Sequence, residues 1–352
     1  MTGSQSGRVY IGSFTAAGGP GIVTAEVDAS DGSLTLLAAT DATPDPSYLA
    51  VSGGLLYAVS ETAEGAVTAF RTDTTPVTPA GRPAPVDGDG PTHLSLWGDH
   101  HVLTANYGSG SVTALPLRAD GTPDAAGRDV LRHTGSGPHP QRQQAPHAHQ
   151  VVPDPSGRWA VSVDLGTDSV RVCVLTDGRL TLHHETALRP GSGPRHLAFH
   201  PSAGYAYVLN ELAPTLTVCQ WDATTGILKA LTEVPVLAEG PRGDAYPSEI
   251  VVSPDGRFLW TATRGEDVIS LFTLDASGER PTLRSTTPCG GHWPRDLALA
   301  PSGRHLYAAN ERSGDVTWFT VDPETGTPTR SGSARVPAAS CVAFAAARPS
   351  CA

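Results

Sequence analysis

One unit recurs along this chain: a short apolar run, a Pro- and Gly-containing turn, and a second apolar run. "PRHLAFHPSAGYAYVLNEL" begins at Pro194, "PSEIVVSPDGRFLWTATRG" at Pro247 and "PRDLALAPSGRHLYAANER" at Pro294. "AHQVVPDPSGRWAVSVDLG" fits the same frame from Ala148, and shorter copies begin at Pro46 and Pro91. The seventh copy is divided. "PAASCVAF" near the C-terminus supplies a first run with no second, and "VYIGSF" near the N-terminus resembles the missing partner. Alternating stretches such as "GSVTALPL" and "DVISLFTL" follow the units, and several add an outer one such as "GRLTLHH". Four short strands repeated roughly every fifty residues are the signature of a propeller blade. The expected fold is therefore an all-β, seven-bladed β-propeller forming a single domain over residues 1–352. Its ring is expected to close by pairing residues 9–14 with residues 341–344, which removes the open sheet edge.

Composition narrows the function. The formal net charge is −11 and no Lys/Arg-rich run occurs, which argues against a nucleic-acid surface. No apolar stretch approaches the roughly 20 residues that span a bilayer. The first residues lack a charged-then-apolar signal pattern, so a cytoplasmic location is expected. The five cysteines, Cys173, Cys219, Cys289, Cys341 and Cys351, are odd in number and widely spaced, as reduced structural thiols are.

Hairpin geometry puts the start of each first strand beside the end of the second. Seven hairpins thus build one rim. The leading positions are Ser47, Thr92, His149, Arg195, Ser248, Arg295 and Ser340. The trailing pairs are Ser60-Glu61, Asn106-Tyr107, Asp164-Leu165, Asn210-Glu211, Thr263-Arg264, Asn310-Glu311 and Ser13-Phe14. Asn, Asp and Ser at strand ends commonly bond turn backbone. His149, Arg195, Glu211, Arg264 and Arg295 are longer or more reactive than capping requires. They point either to a small-molecule site or to a structural ion-pair ring in a solvated channel. His93 and His196 follow leading positions and are read as pointing into the blades. The long Gly-, Pro-, His- and Gln-rich segment "RHTGSGPHPQRQQAPHAH" is expected over the same rim, with Arg142, Gln143 and His147 folding onto the pocket and Tyr107, Arg295 and Glu311 lining it. His147, His149 and Asp164 are the one conceivable metal set, but no strong ligand spacing supports it, and neither metal nor other cofactor is expected. Nucleotide and serine-hydrolase signatures are absent.

At these residues the chain resembles the seven-bladed lactonase family, which includes propeller-type 6-phosphogluconolactonases and carboxy-cis,cis-muconate cyclases. The resemblance is carried by "YIGSFT" (10–15), "RQQAPHAHQVVPDPSGRWAVSVDLG" (142–166), "GPRHLAFHPSAGYAYVLNEL" (193–212), "SPDGRFLWTATRGEDVISLF" (253–272) and "GGHWPRDLALAPSGRHLYAANERSGDVTWF" (290–319). It implies His149, Arg195, Glu211 and Arg264 as the catalytic group, all four of them already on the rim. "TRG" stands where the family commonly has "NRG", a departure that bears on substrate identity.

The expected chemistry is hydrolysis of a sugar-acid lactone such as 6-phosphogluconolactone. Glu211 or His149 would activate water, and Arg195 and Arg264 would hold the oxyanion or an anionic substrate group. The same groups would serve a lactonising cyclase or lyase. A third class, a non-enzymatic interaction platform, would expose apolar hot spots instead of a charged rim.

Overall fold

The computed structural model describes residues 7–345; Cys351 lies outside them. Seven antiparallel sheets stand around a channel. Blade 1 joins Ala339–Phe344 to Gly7–Ser13, Ile22–Val27 and Leu34–Thr40. Blades 2 to 7 follow in chain order and begin with Leu49–Ser52, Pro91–Trp97, Ala148–Pro153, Pro194–Phe199, Tyr246–Val252 and Pro294–Leu299. Each first strand packs against the first strands of both neighbouring blades, closing the ring. The divided repeat pairs as expected: Val9 faces Phe344, Ile11 faces Val342 and Gly12 faces Cys341. Two short 3-10 turns are the helical elements among the described residues, and no helix is long and apolar enough to cross a membrane.

The apolar core lies between blades rather than within one. Val9, Ile11, Val23 and Ala25 of blade 1 pack on Tyr307, Ala309, Val316 and Trp318 of blade 7. The second strands are therefore covered on both faces, and Phe258–Arg264 is buried throughout. A repeated clasp locks blades together. Tyr57, Trp159, Tyr207, Trp260 and Tyr307 each donate a side-chain hydrogen bond to an outer-turn carbonyl of the next blade around the ring: Gly121, Ala223, Gly278, Gly326 and Gly32 respectively. Burying an aromatic ring while its polar tip finds a partner avoids an unsatisfied donor. The geometry demands glycine beside it: Gly226 has φ 68°, and a Cβ there would come within 2.6 Å of the Trp159 ring.

Candidate active site

The rim is built by a defect in the sheets. In blades 4, 5 and 7 the ladder skips His149, Arg195 and Arg295: Ala148 pairs with Asp164 but Gln150 with Val163, and the same step follows Pro194 and Pro294. Blades 1 and 3 skip Ser340 and Thr92 in the same way. In these five blades the leading residue is thus the extra residue of a β-bulge. A bulge re-aims a side chain and interrupts the alternation of faces. Consecutive residues then share the channel side, as shown by a small cavity lined by Ser47 with Tyr48, Arg195 with His196, and Arg295 with Asp296.

Glu211 is the hub of the upper ring. Its Oε1 accepts from Arg142 NH2 at 2.7 Å. Its Oε2 lies 3.1 Å from Arg195 Nε and 2.9 Å from Arg264 NH2. The Glu211, Arg195 and Arg264 side chains are buried, whereas Arg142 is about one-third exposed at 35%. Burial alone would raise the carboxyl's pKa, but Arg264, Arg195 and Arg142 outweigh it and hold Glu211 at about 2. Burial and the Arg264 charge draw Arg195 down to about 9, so it stays cationic at neutral pH. Arg195 NH1 also donates to the Ser248 carbonyl, and Arg264 Nε to that of Tyr246. Across the mouth, Arg295 sits 3.4 Å from Glu61 and 3.5 Å from Glu311, with its guanidinium 4.8 Å from the Phe14 ring centroid.

His149 stands edge-on to the Tyr107 and His196 rings, with centroids 5.6 and 5.2 Å away. Burial, then Arg195, His196 and the other guanidiniums, pull its pKa well below 6.5. The ring is consequently neutral at pH 7, and its buried Nδ1 has no partner among the described residues.

The long segment ahead of blade 4 closes over this group, and Arg142 is its contribution to the mouth: Nε and NH2 reach the Tyr107 hydroxyl at 3.3 and 3.1 Å. His147 stacks on Tyr107 at 4.4 Å and its Nδ1 contacts the Tyr107 carbonyl. Gln143, expected to fold onto the pocket, is fully buried, accepts from His139 N and donates to Leu165 O, so its amide shapes the loop. Asp164 ties down both ends of the segment, contacting His133 Nδ1 at 2.6 Å and accepting from His147 N and Arg171. The His147, His149 and Asp164 metal set is therefore not assembled. Asp164 is committed to His133 and Arg171, and His147 to Tyr107.

Beneath the rim lies a second ring that the repeat alignment passed over: Tyr48, His93, Gln150, His196, Glu249, Asp296 and Cys341. His93 and His196 line the channel rather than entering the blades, which corrects the expectation; strict alternation predicts the latter, and the bulge cancels it. His196 Nδ1 meets Glu249 at 2.8 Å, and the His93 and His196 rings lie 5.6 Å apart. The ring caps a cavity of about 250 Å³ that continues toward the opposite face past Val152, Val251 and Ala343. Burial lifts Glu249 to about 7 despite Arg195, and burial together with Glu249 pushes Asp296 well above the usual carboxylate range. Both carboxyls are thus weaker acids than Glu211.

The sign of the resulting pH dependence follows. A carboxyl whose folded pKa exceeds its unfolded value takes up protons on folding, so stability falls as pH rises from about 4.5 through about 7. Glu249→Gln removes this contribution. Relative to the parent, the variant's Tm is expected to climb by roughly 5 °C between pH 5 and pH 8. A Tm difference that stays flat with pH would show that Glu249 is ionised across the range.

The mouth of this propeller thus converges guanidiniums on a buried carboxylate beside a neutral imidazole. The family "Lactonase, 7-bladed beta-propeller" covers residues 8–344, and the chain belongs to it as a lactone-hydrolysing enzyme acting on a small molecule. A relative from Bacillus subtilis (strain 168), named 6-phosphogluconolactonase, is 34% identical over 277 residues, spanning 77% of this chain and 78% of its own. Among solved structures, the periplasmic gluconolactonase of Pseudomonas aeruginosa aligns with a TM-score of 0.89 at 28% identity, covering 98% of this chain and 100% of that one. A protein from Lactobacillus plantarum aligns at 0.90 and 28%, covering 97% and 100%.

Proposed function

We propose that this chain, working as one propeller domain, hydrolyses a sugar-acid lactone bearing an anionic group, with 6-phosphogluconolactone as the leading candidate. The observation that carries the reading is the convergence of Arg142, Arg195 and Arg264 on Glu211 beside neutral His149. His149 takes a proton from water as its oxygen attacks the lactone carbonyl carbon. Arg195 and Arg264 stabilise the oxyanion that forms, as rigid and permanently charged donors. Collapse of the tetrahedral intermediate breaks the ring C–O bond, and the departing alkoxide takes the proton back from His149. The product carboxylate leaves with release of one proton to solvent. Glu211, with both carboxylate oxygens engaged by guanidiniums, aligns Arg142, Arg195 and Arg264 instead. Arg142 and Arg295 supply further positive charge for a phosphate or carboxylate at the mouth. A cytoplasmic location belongs to the same proposal, supported by the free, buried thiols of Cys173, Cys219, Cys289 and Cys341.

The test is a substrate panel followed by NMR. 6-Phosphogluconolactone should be hydrolysed above background, with kcat/KM about 10-fold or more above the unphosphorylated lactone, since a charge-assisted bond contributes about 1.5–3 kcal/mol. Equal rates for the two lactones would remove the anionic group from the reading. Ring formation from an unsaturated dicarboxylate, without lactone hydrolysis, would replace the reading with a cyclase.

A further inference from the structure

Trp293 occupies a left-handed backbone position, the region that glycine enters at least cost. The residue two before the leading position is left-handed in five blades: Asp45 (φ 43°), Gly90 (57°), Gly193 (58°), Trp293 (67°) and Ala338 (52°). The equivalence of Gly193 and Trp293 extends to their partners. Asp168 accepts from Gly193 N at 2.7 Å, and Asp267 accepts from Trp293 N at 2.8 Å. A bulky side chain in this region is a genuine outlier, because its Cβ crowds the following carbonyl. Blades 3 and 5 place glycine here, blade 1 alanine and blade 2 aspartate, all with far smaller side chains than tryptophan. Trp293 therefore carries the largest side chain where the backbone accepts one least readily. Strain of this kind, held in place by its surroundings, clusters at ligand sites.

Its surroundings identify the site. The Trp293 ring lies 5.6 Å from the Arg264 guanidinium and 6.0 Å from the Tyr246 ring, and Tyr246 accepts from Arg264 through its carbonyl. Arg312 stacks over the same indole at 3.3 Å, and Asp267 also binds the adjacent His292. Trp293 and Tyr246 are both half-buried. An aromatic pair therefore flanks Arg264, one of the guanidiniums that meet Glu211. We infer that Trp293, backed by Tyr246, is a specificity-determining residue that packs on the C–H face of a ring-closed, phosphorylated sugar or lactone while the guanidiniums hold its anionic group. The inference rests on the reading of the mouth as a lactone site. Aromatic surface paired with a few aimed polar groups is how compact sites choose among ligands of equal charge.

Calorimetry with two unreactive probes separates ring contact from charge. Glucose 6-phosphate keeps the ring and the phosphate, whereas 6-phosphogluconate keeps the phosphate on an open chain. Trp293→Gly suits the left-handed backbone, so the variant keeps its fold. It is expected to weaken glucose 6-phosphate about 10-fold and 6-phosphogluconate no more than about twofold. Trp293→Phe should recover most of the loss. Equal weakening of both probes, weakening of neither, or a parent protein that does not bind glucose 6-phosphate would overturn the inference. A parent that binds glucose 6-phosphate with this selectivity but hydrolyses no lactone would overturn the proposed reaction and leave the ring contact standing.

Discussion

Glutamine in place of Glu211 is expected to destabilise the protein by about 3–5 kcal/mol, because it leaves buried guanidiniums facing one another without their common counter-charge. At a few degrees per kcal/mol the melting temperature should drop by roughly 10 °C. Turnover should fall as well, by about 10²-fold, since Arg195 and Arg264 lose the carboxylate that aligns them. The pH dependence separates this from a proton-transfer role. Glu211 is depressed to about 2, so its contribution is complete above about 4.5 and is lost as pH falls toward 2. The parent should shed this part of its acid stability and the variant should have none to shed. If Glu211→Gln kept the parental melting temperature and lost only kcat, the carboxylate would be the base and the alignment argument would fail.

Removing His149 should produce the other large effect, on rate rather than stability. His149→Ala is expected to lower kcat by about 10²–10⁴ with a modest change in KM, the usual size for a general base. Because burial and Arg195 pull the imidazole's pKa well below 6.5, the parent's kcat/KM should stay level from pH 8 down past 6.5 before it declines. The residual activity of the variant should instead rise with hydroxide concentration. Stability gives a second reading with its own sign. The unfolded chain binds the His149 proton more readily than the native one, so the parent loses stability as pH falls below about 6.5, and His149→Ala removes that slope. Near-native turnover in the variant, with an unchanged pH profile, would move the base elsewhere in the mouth.

These expectations rest on different depths of reading. The propeller was legible because a closed ring repeats its unit, and the divided seventh copy pairs as the repeat demands, Gly12 facing Cys341. The upper ring was legible for the same reason: His149, Arg195, Glu211 and Arg264 fall at equivalent ends of equivalent hairpins. The lower ring was not. Following a leading position in an unbroken strand sends His196 into the blade, and a single extra residue at Arg195 turns it to the channel. Gln143 looked like a ligand of the mouth because its segment crosses the rim, yet its amide is absorbed by His139 and Leu165. Trp293 gave no signal at all, since a left-handed backbone is invisible until Gly193 and Trp293 can be superposed.

Glu211 and Glu249 mark the division most clearly. Both are glutamates at the channel ends of blade strands, and the chain alone determines that much: the repeat, the ring and the positions that meet at its centre. Tertiary structure decides what each one is. Glu211 receives guanidiniums from the long segment before blade 4 and from the first and second strands of blades 5 and 6, and it is held at about 2. Glu249, one ring lower, meets His196 and a second carboxyl on Asp296, and burial carries it to about 7. Charge state depends on desolvation and on partners drawn largely from other blades and loops, and neither can be read from the order of residues along a strand.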